Sequence, residues 1–236
     1  VGGYALLAGL WVSGFDLPWP ALLAAFVLGA IDDWRPMGAG VKALGQCVPA
    51  ALLGLEVGGE AGIWIGLLAW VAQNAVNTFD HADGFLCALG GTAFPPLLAA
   101  PFLGVLPWNL LLRAKNRAGG DVAQAYFGDG GSLLAGVLLA SQPEARWFLL
   151  VPTLDLARVV GLRLLAGQAP WVGDRRHLGH RFQDHGWNPK MGAVLALAAL
   201  LPMGLASTHG HWVAALASAA VWAGLVVASR PPVAQA

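Results

Sequence analysis

Residues 62–84 of the chain read GIWIGLLAWVAQNAVNTFDHADG. The first part of this stretch, 62–79, is mostly apolar and approaches the roughly 20 residues that a helix needs to cross a bilayer. Polar residues then recur at every third position, namely Asn74, Asn77, Asp80 and Asp83. On a helix, this spacing places the side chains along one slowly drifting stripe. The stretch therefore predicts a membrane helix with a polar stripe that continues past its end.

The polar stripe has two interpretations. Asparagine in a membrane helix often forms a hydrogen-bond seam between helices, and Asn74 and Asn77 alone would fit that structural role. Polar groups inside a membrane are also costly, so they frequently mark a functional site. Two aspartates, Asp80 and Asp83, continue the same stripe and fit a seam poorly. A functional site is the favoured interpretation.

The composition extends this picture to the whole chain. Hydrophobic residues make up 57% of the sequence and charged residues 11%, and the mean hydropathy is +0.64. Soluble domains carry about 25% charged residues, so a water-facing shell is lacking. The apolar segments run roughly over 1–15, 17–31, 42–57, 62–79, 85–98, 101–113, 131–141, 145–165, 190–208 and 211–229.

These segments predict an all-α fold: a polytopic transmembrane helical bundle of about nine to ten helices with cytoplasmic active-site loops. We expect a single integral membrane domain over residues 1–236, and, because the chain begins with Val1, a natural N-terminal segment that is missing here. Prolines interrupt residues 85–113, so one span plus a re-entrant piece is the alternative there. The net charge of zero gives no basic field for nucleic acid.

If the ten apolar segments cross the membrane in alternating directions, the charged residues between them fall on two opposite faces. Every lysine and arginine except Arg146 then falls on one face, which the positive-inside rule makes cytoplasmic. The aspartates share that face, with Asp16 as the exception. Because acidic residues contribute little to orientation, topology alone does not explain them. The one-sided clustering also argues against a transporter, whose carboxylates would lie near the midplane.

Two further motifs carry carboxylates. Asp32 and Asp33 end an apolar segment, and such a pair requires a cation, a proton or a hydrogen-bond donor. Magnesium is commonly held by one or two carboxylates together with substrate phosphates, and Lys42 would suit a phosphate. The alternative is a solvated turn.

Asp129 lies in a glycine-rich stretch before the next apolar run. A helix N-terminus there would attract an anion. The simpler explanation is that Asp129 is the N-cap residue of that helix.

The longest polar stretch contains a basic loop. His177, His180 and Arg181 lie close together in it, next to further arginines. Such a cluster would bind a diphosphate or a carboxylate. A basic loop that enforces orientation, or a patch for anionic lipid headgroups, is the alternative.

Taken in order, these motifs resemble those of the polyprenyl-phosphate N-acetylhexosamine-1-phosphate transferases. That family shows Gly-Gly, then Asp-Asp, then Asn-x-x-Asn-x-x-Asp-x-x-Asp-Gly, then Gly-Asp-x-Gly-Ser, and a His-rich loop that ends in His-Arg. The matching stretches are residues 2–3, 32–33, 74–84, 128–132 and 177–181. Each motif is modest by itself, but the ordered set is specific and covers nearly the whole chain.

The resemblance implies an enzyme that transfers a sugar-1-phosphate from a UDP-N-acetylhexosamine to polyprenyl (undecaprenyl) phosphate and releases UMP. It implies a multi-pass protein of the inner membrane, with its active site on the cytoplasmic face, and Mg²⁺ as cofactor with Mn²⁺ as an alternative. Asp129 would be the main metal ligand, and Asp32 and Asp33 would lie beside the reacting phosphates. The implied substrate-binding residues are Lys42, Asn74, Asn77, Asp80, Asp83, Asn116, Tyr126, His177, His180 and Arg181.

The loop pattern favours transfer of GlcNAc-1-phosphate over the phospho-MurNAc-pentapeptide branch of the family. Two positions depart from the pattern: Gly179 stands where the family has a histidine, and His81 where it has a glycine. A non-catalytic relative is the alternative that these departures leave.

A CDP-alcohol transferase would need an Asp-Gly-x-x-Ala-Arg signature, which the sequence lacks. Homodimers are frequent in the family, so a homodimer is also expected.

Overall fold

The computed structural model describes residues 1–80, 83–115, 121–173, 175–184, 200–203 and 210–229. Within these residues the chain forms mostly α-helix, as the sequence predicts. The helices are α1 (Gly2–Val12), α2 (Trp19–Trp34), α3 (Ala39–Gly45), α4 (Cys47–Val57), α5 (Gly59–Asn77), α6 (Phe85–Ala93), α7 (Pro96–Leu106), α8 (Gly128–Ser141), α9 (Leu150–Leu165), α10 (Leu178–Asp184) and α11 (His211–Ala228).

Four short elements lie between these helices. A π-helical turn, Pro107–Leu111, follows α7, and a 3-10 turn, Ala145–Leu149, precedes α9. The strands β1 (Arg113–Lys115) and β2 (Asp121–Ala123) pair in antiparallel register, with Ala114 opposite Val122.

Two helical stretches are long and apolar enough to cross a membrane. They are Ala39–Val57, which joins α3 and α4, and α11, and both carry little buried surface. Large apolar side chains such as Trp64 and Leu55 are exposed on the outer helices, which water would disfavour. The chain is therefore a membrane protein. The described part has eleven α-helices, of which two meet these criteria, so the predicted nine to ten spanning helices are not confirmed. The single domain over 1–236 stays a prediction.

Helix α8 is the centre of the fold. Every residue from Gly130 to Ala140 is buried, which is the pattern of a helix surrounded by other helices. Helices α1, α2 and α5 pack directly around it. Because α2 and α5 carry the Asp-Asp pair and the polar stripe, this packing brings both motifs to the N-terminal end of α8.

Glycines allow the backbones to come into contact around α8. A Cβ atom at Gly29 of α2 would overlap the backbone of Asp129. Farther along α8, a Cβ atom at Gly136 would lie 2.7 Å from the backbone nitrogen of Gln73 in α5. These close approaches set the distances between the polar side chains at the site.

Candidate active site

The ammonium group of Lys42 lies between two carboxylates. Its Nζ is 2.9 Å from Asp32 Oδ2 and 2.8 Å from Asp129 Oδ1. The three residues come from α3, from the end of α2 and from the start of α8, so the fold brings together motifs that are far apart in sequence. All three side chains are largely shielded from solvent. The carboxylates therefore face one common point, and a cation occupies that point.

Asn77 fixes the position of the Asp129 carboxylate from the opposite side. Its Nδ2 donates a short hydrogen bond to Asp129 Oδ1 and a second one, of 2.8 Å, to Ser132 Oγ. One helical turn earlier, Asn74 Nδ2 donates to Gln46 Oε1 at 2.8 Å. The two asparagines of the stripe thus differ: Asn77 contacts the carboxylate cluster, and Asn74 ties α5 to the junction of α3 and α4.

Asp33 contacts the backbone of α8. Its Oδ1 accepts a hydrogen bond from the backbone N–H of Asp129 at 2.8 Å, and its Oδ2 accepts one from Gly130 at 3.1 Å. Asp32 points elsewhere, since its Oδ1 accepts from the backbone N–H of Met37 at 2.5 Å. The two adjacent aspartates therefore contact different parts of the fold: Asp32 binds Lys42 and Met37, and Asp33 binds the first turn of α8.

Asp80 lies just beyond α5, close to the same cluster. Burial, together with the charges of Asp129, Asp33 and Asp83, raises the pKa of its carboxyl to about 7, although a hydrogen bond from the backbone N–H of Gly128 opposes the rise. Asp83 is also buried, with 2% of its surface exposed. With Asp32, five carboxylates lie at one end of α8, and this density of negative charge favours binding of a cation.

Asn109 is a buried residue that the sequence reasoning missed. It lies in the π-helical turn, 3% exposed, where its Oδ1 accepts from the backbone N–H of Gly84 and its Nδ2 donates to Ala125 O at 2.8 Å. It thereby joins the end of the polar stripe to the residue before Tyr126. The signal was available: a lone asparagine inside an apolar segment requires hydrogen-bond partners.

Tyr126 lines a cavity of about 300 Å³. Asp33 and Gln124 also line this cavity. The tyrosine is 37% exposed, and its hydroxyl accepts a hydrogen bond from the backbone N–H of Ala123 at 3.2 Å. The ring is thus held next to the carboxylate cluster with part of its surface accessible.

The basic loop is anchored to α9 by a second, separate group of contacts. The fully buried Asp155 accepts hydrogen bonds from Arg158 at 2.6 and 2.9 Å and from the backbone N–H of Leu178 at 3.0 Å, and lies 3.4 Å from His177 Nδ1. Arg181 Nε donates to Ser229 O at 3.0 Å. His180 follows within α10. Asp155, Arg158 and Arg163 stand in the apolar segment before the loop, where sequence reasoning allows them to pair with it, and the hydrogen bond from Leu178 to Asp155 is such a contact.

Most of the predicted site residues therefore fall into two groups. At the N-terminal end of α8 lie Asp32, Asp33, Lys42, Asn77, Asp80, Asp83 and Asp129, with Tyr126 in the adjoining cavity. The basic loop and α10 carry His177, His180 and Arg181, while Asn74 belongs to neither group and bonds Gln46. Asn116 and His81 lie outside the described residues.

The carboxylate cluster fits a divalent metal ion. Within the described residues there is no group of three or more His, Cys, Asp or Glu side chains arranged around a metal position. Magnesium does not require one, because it is usually held by one or two carboxylates, waters and substrate phosphates. Asp32 and Asp129 supply two carboxylates around a point that already holds the cationic group of Lys42.

Curated proteins from several bacteria resemble this chain. Undecaprenyl-phosphate alpha-N-acetylglucosaminyl 1-phosphate transferase of Escherichia coli K12 is 26% identical over 273 aligned positions, which cover 90% of this chain and 73% of the relative. The Salmonella typhi protein of the same name is 27% identical with the same coverage. That of Yersinia pestis is 25% identical over 265 positions, covering 86% of this chain and 71% of the relative.

No family model matches the chain. These relatives carry the name of an enzyme from the family that the motifs resemble, and they support an enzyme of the sugar-1-phosphate transferase type. Over about 90% of its length, the chain is similar to curated undecaprenyl-phosphate alpha-N-acetylglucosaminyl 1-phosphate transferases.

Proposed function

We propose that this protein transfers a HexNAc-1-phosphate, with GlcNAc as the sugar, from a UDP-sugar to undecaprenyl phosphate in a Mg²⁺-dependent reaction. The products are the undecaprenyl-diphosphate sugar and UMP. The single observation that carries this proposal is the convergence of Asp32, Asp129 and Lys42 on one point. The names of the relatives supply the lipid acceptor and the sugar.

The reaction joins two anions, so catalysis requires positioning and neutralisation of charge. An oxygen of the lipid phosphate attacks the phosphorus that bears the sugar, and the bond from this phosphorus to the oxygen of the UMP phosphate breaks. A bound magnesium ion would neutralise the diphosphate and the leaving UMP. Asp129 and Asp32 would hold this ion, and Asn77 would keep the Asp129 carboxylate oriented toward it.

Lys42 would bind the phosphates of the substrate. Its ammonium already lies at the centre of the cluster, and as a compact charge with three donors it suits a phosphate group. Asp80 and Asp83 would face the nucleotide, with Tyr126 as the ring that stacks on the base. His177, His180 and Arg181 would contact the sugar or its phosphate from the anchored basic loop.

The prenyl tail requires an apolar surface that begins near the phosphate. A groove of about 600 Å³ runs between α4 and α5, with Cys47 and Trp70 at one end and Gly58 at the other. The indole Nε1 of Trp70 donates to Ala43 O at 2.9 Å, so this end lies next to the residue after Lys42. The groove therefore supports binding of a lipid whose headgroup lies at the carboxylate cluster.

The direct test is a transfer assay with purified protein in detergent. Undecaprenyl phosphate, UDP-GlcNAc and Mg²⁺ should give UMP together with a lipid-linked sugar diphosphate, and EDTA should stop the reaction. UDP-GalNAc and UDP-MurNAc-pentapeptide in parallel samples identify the sugar and test the phospho-MurNAc-pentapeptide alternative. If no UDP-HexNAc releases UMP while the protein remains folded, the transferase proposal is wrong. The sidedness of the site, its location in the inner membrane and the homodimer stay predictions.

A further inference from the structure

We infer that Asp33 is a positioning residue: its carboxylate holds the first turn of α8 so that the Asp129 side chain faces Asp32 and Lys42. It would act on the metal site through Asp129 and would not itself touch the lipid phosphate. This inference rests on the proposed function, and it assigns different tasks to two adjacent aspartates.

The first argument is the geometry of the cap. Both oxygens of Asp33 are engaged, since Oδ1 accepts from the backbone N–H of Asp129 at 2.8 Å and Oδ2 from that of Gly130 at 3.1 Å. These N–H groups belong to the first turn of α8, where backbone donors have no partner within the helix. A negative charge at this end also interacts favourably with the helix dipole. Asp33 therefore stabilises one defined position of this turn.

The second argument is that α8 lacks a cap of its own. Its N-cap residue is Phe127, which has no side-chain oxygen and makes no capping hydrogen bond. The N-cap position of an α-helix is usually occupied by Ser, Thr, Asp or Asn, whose side chain accepts a backbone hydrogen bond. Here the capping carboxylate comes from α2, 96 positions earlier in the chain. The cap thus ties α2 to α8 in addition to completing the helix.

The third argument is the shape of the chain at the contact. Gly128 has a positive φ of 67°, and a Cβ atom there would lie 2.7 Å from Asp33 Oδ2. A Cβ atom at Gly29, one helical turn before Asp33 in α2, would overlap the backbone of Asp129. Both glycines leave the space that the Asp33 carboxylate needs to reach the first turn of α8.

Asp32 provides the contrast. Its Oδ2 is bound to Lys42 and its side chain is only 8% exposed, whereas Asp33 is exposed. If the lipid phosphate requires a carboxylate to orient it, Asp32 faces the cluster in which that phosphate would lie. Asp33 faces the backbone, where a small displacement of Asp129 would change the distance between the two metal-binding carboxylates.

The test compares Asp33→Asn, Asp33→Ala and Asp32→Asn, with the exposed Asp16→Asn as control. The first readout is the Mg²⁺ concentration that gives half of the maximal thermal stabilisation in detergent, without substrate. We expect Asp33→Ala to raise this concentration about 10–100-fold, as loss of an outer-shell partner does. Asp33→Asn should raise it less, because an amide oxygen still accepts a backbone N–H, and Asp16→Asn should not change it.

The second readout is turnover. Asp33→Ala should recover most of its kcat at saturating Mg²⁺, with an unchanged pH–rate profile, whereas Asp32→Asn should not recover. The inference is overturned if Asp33→Asn and Asp33→Ala lose kcat equally, do not regain it at saturating Mg²⁺ and bind Mg²⁺ like the wild type. Asp33 would then be a catalytic residue. Because the thermal readout needs no turnover, it tests Asp33 even if the wild-type protein fails to release UMP.

Discussion

Lys42 lies 2.8 Å from the Oδ1 atom of Asp129, in the position that a cation between two carboxylates takes. The same ammonium is 2.9 Å from Asp32. Without such a charge, the two carboxylates would repel each other across a site that is mostly shielded from water. Lys42 therefore neutralises the cluster in the absence of a metal ion, and a metal ion would compete with it for the same oxygens.

Replacing Lys42 by Met should therefore tighten metal binding. The variant lacks the competing charge, so we expect half-maximal thermal stabilisation at a Mg²⁺ concentration about 10-fold lower, which corresponds to about 1.4 kcal/mol. The KM for the UDP-sugar should rise, since a phosphate contact is lost. Arg35→Met is the control, because Arg35 is an exposed cation at the end of α2. Unchanged or weaker Mg²⁺ binding in the Lys42 variant would contradict the competition.

Replacing Asp129 by Asn should abolish transfer. The variant keeps a side chain of the same size but loses the charge that would hold the metal, and we expect kcat to fall by at least about 10³-fold. Because Asp129 lies in a crowded group of carboxylates, the variant should express and unfold much like the wild type. UMP release and thermal unfolding measure the two effects, with Asp16→Asn as the matched control. Retained turnover would remove Asp129 from the metal site.

That the aspartate and asparagine motifs meet at one site could be predicted from the sequence, because polar residues of these types are unusual in apolar segments. Aspartate and asparagine at the ends of apolar segments are costly unless they have a partner, so the side of the membrane that the sequence predicts them to share indicates a shared site. Asp129 and Asn77 illustrate this, as they lie 52 positions apart and are hydrogen-bonded. The helices that carry them were also predictable from their apolar character.

The direction of each side chain could not be predicted. Asp32 and Asp33 are chemically identical neighbours, and only the backbone of α2 determines that one faces Lys42 and the other faces α8. The approach of α2 to α8 depends on Gly29, whose importance follows from a backbone contact that sequence does not encode locally. The buried role of Asn109 depends in the same way on segments that are distant in the chain.

Replacing Asn109 by Ala should destabilise the protein. The variant leaves the backbone N–H of Gly84 and the carbonyl of Ala125 without their partner in a buried position, at about 1–3 kcal/mol each. We expect a loss of about 2–4 kcal/mol in the free energy of unfolding. Thr92→Ala is the control, because the Thr92 hydroxyl bonds carbonyls of its own helix and, among the described residues, no other group. Similar unfolding midpoints for the two variants would show that Asn109 does not hold the two segments together.

Replacing Asp80 by Asn should stabilise the metal-free protein. The pKa of Asp80 is raised to about 7, so the folded state binds the proton more tightly than the unfolded state, and the wild type loses stability as the pH rises from about 4 to about 7. In EDTA at pH 8 the variant should melt on the order of 3 °C higher than the wild type. At pH 5 the difference should be smaller. A variant that is less stable at pH 8 would show that the Asp80 charge is compensated in the folded state.

Replacing Asp155 by Ala should release the basic loop from α9. Asp155 is fully buried and binds Arg158 and the first residue of α10, so its loss leaves a charge without its partner. Breaking a buried pair in this way costs about 3–5 kcal/mol. We expect a lower unfolding temperature and faster tryptic cleavage within the loop, after Arg176, together with a higher KM for the UDP-sugar.

Asp184→Asn is the matched control for Asp155. Asp184 also pairs with an arginine, Arg175, but both side chains are at least half exposed, and such pairs contribute about 0–1 kcal/mol. The anchoring role requires a clear difference between the two variants, because burial is what distinguishes the two ion pairs. If Asp155→Ala and Asp184→Asn unfold at the same temperature and the loop is cleaved equally fast in both, α10 is held by other contacts. The basic loop would then reach the substrate without depending on α9.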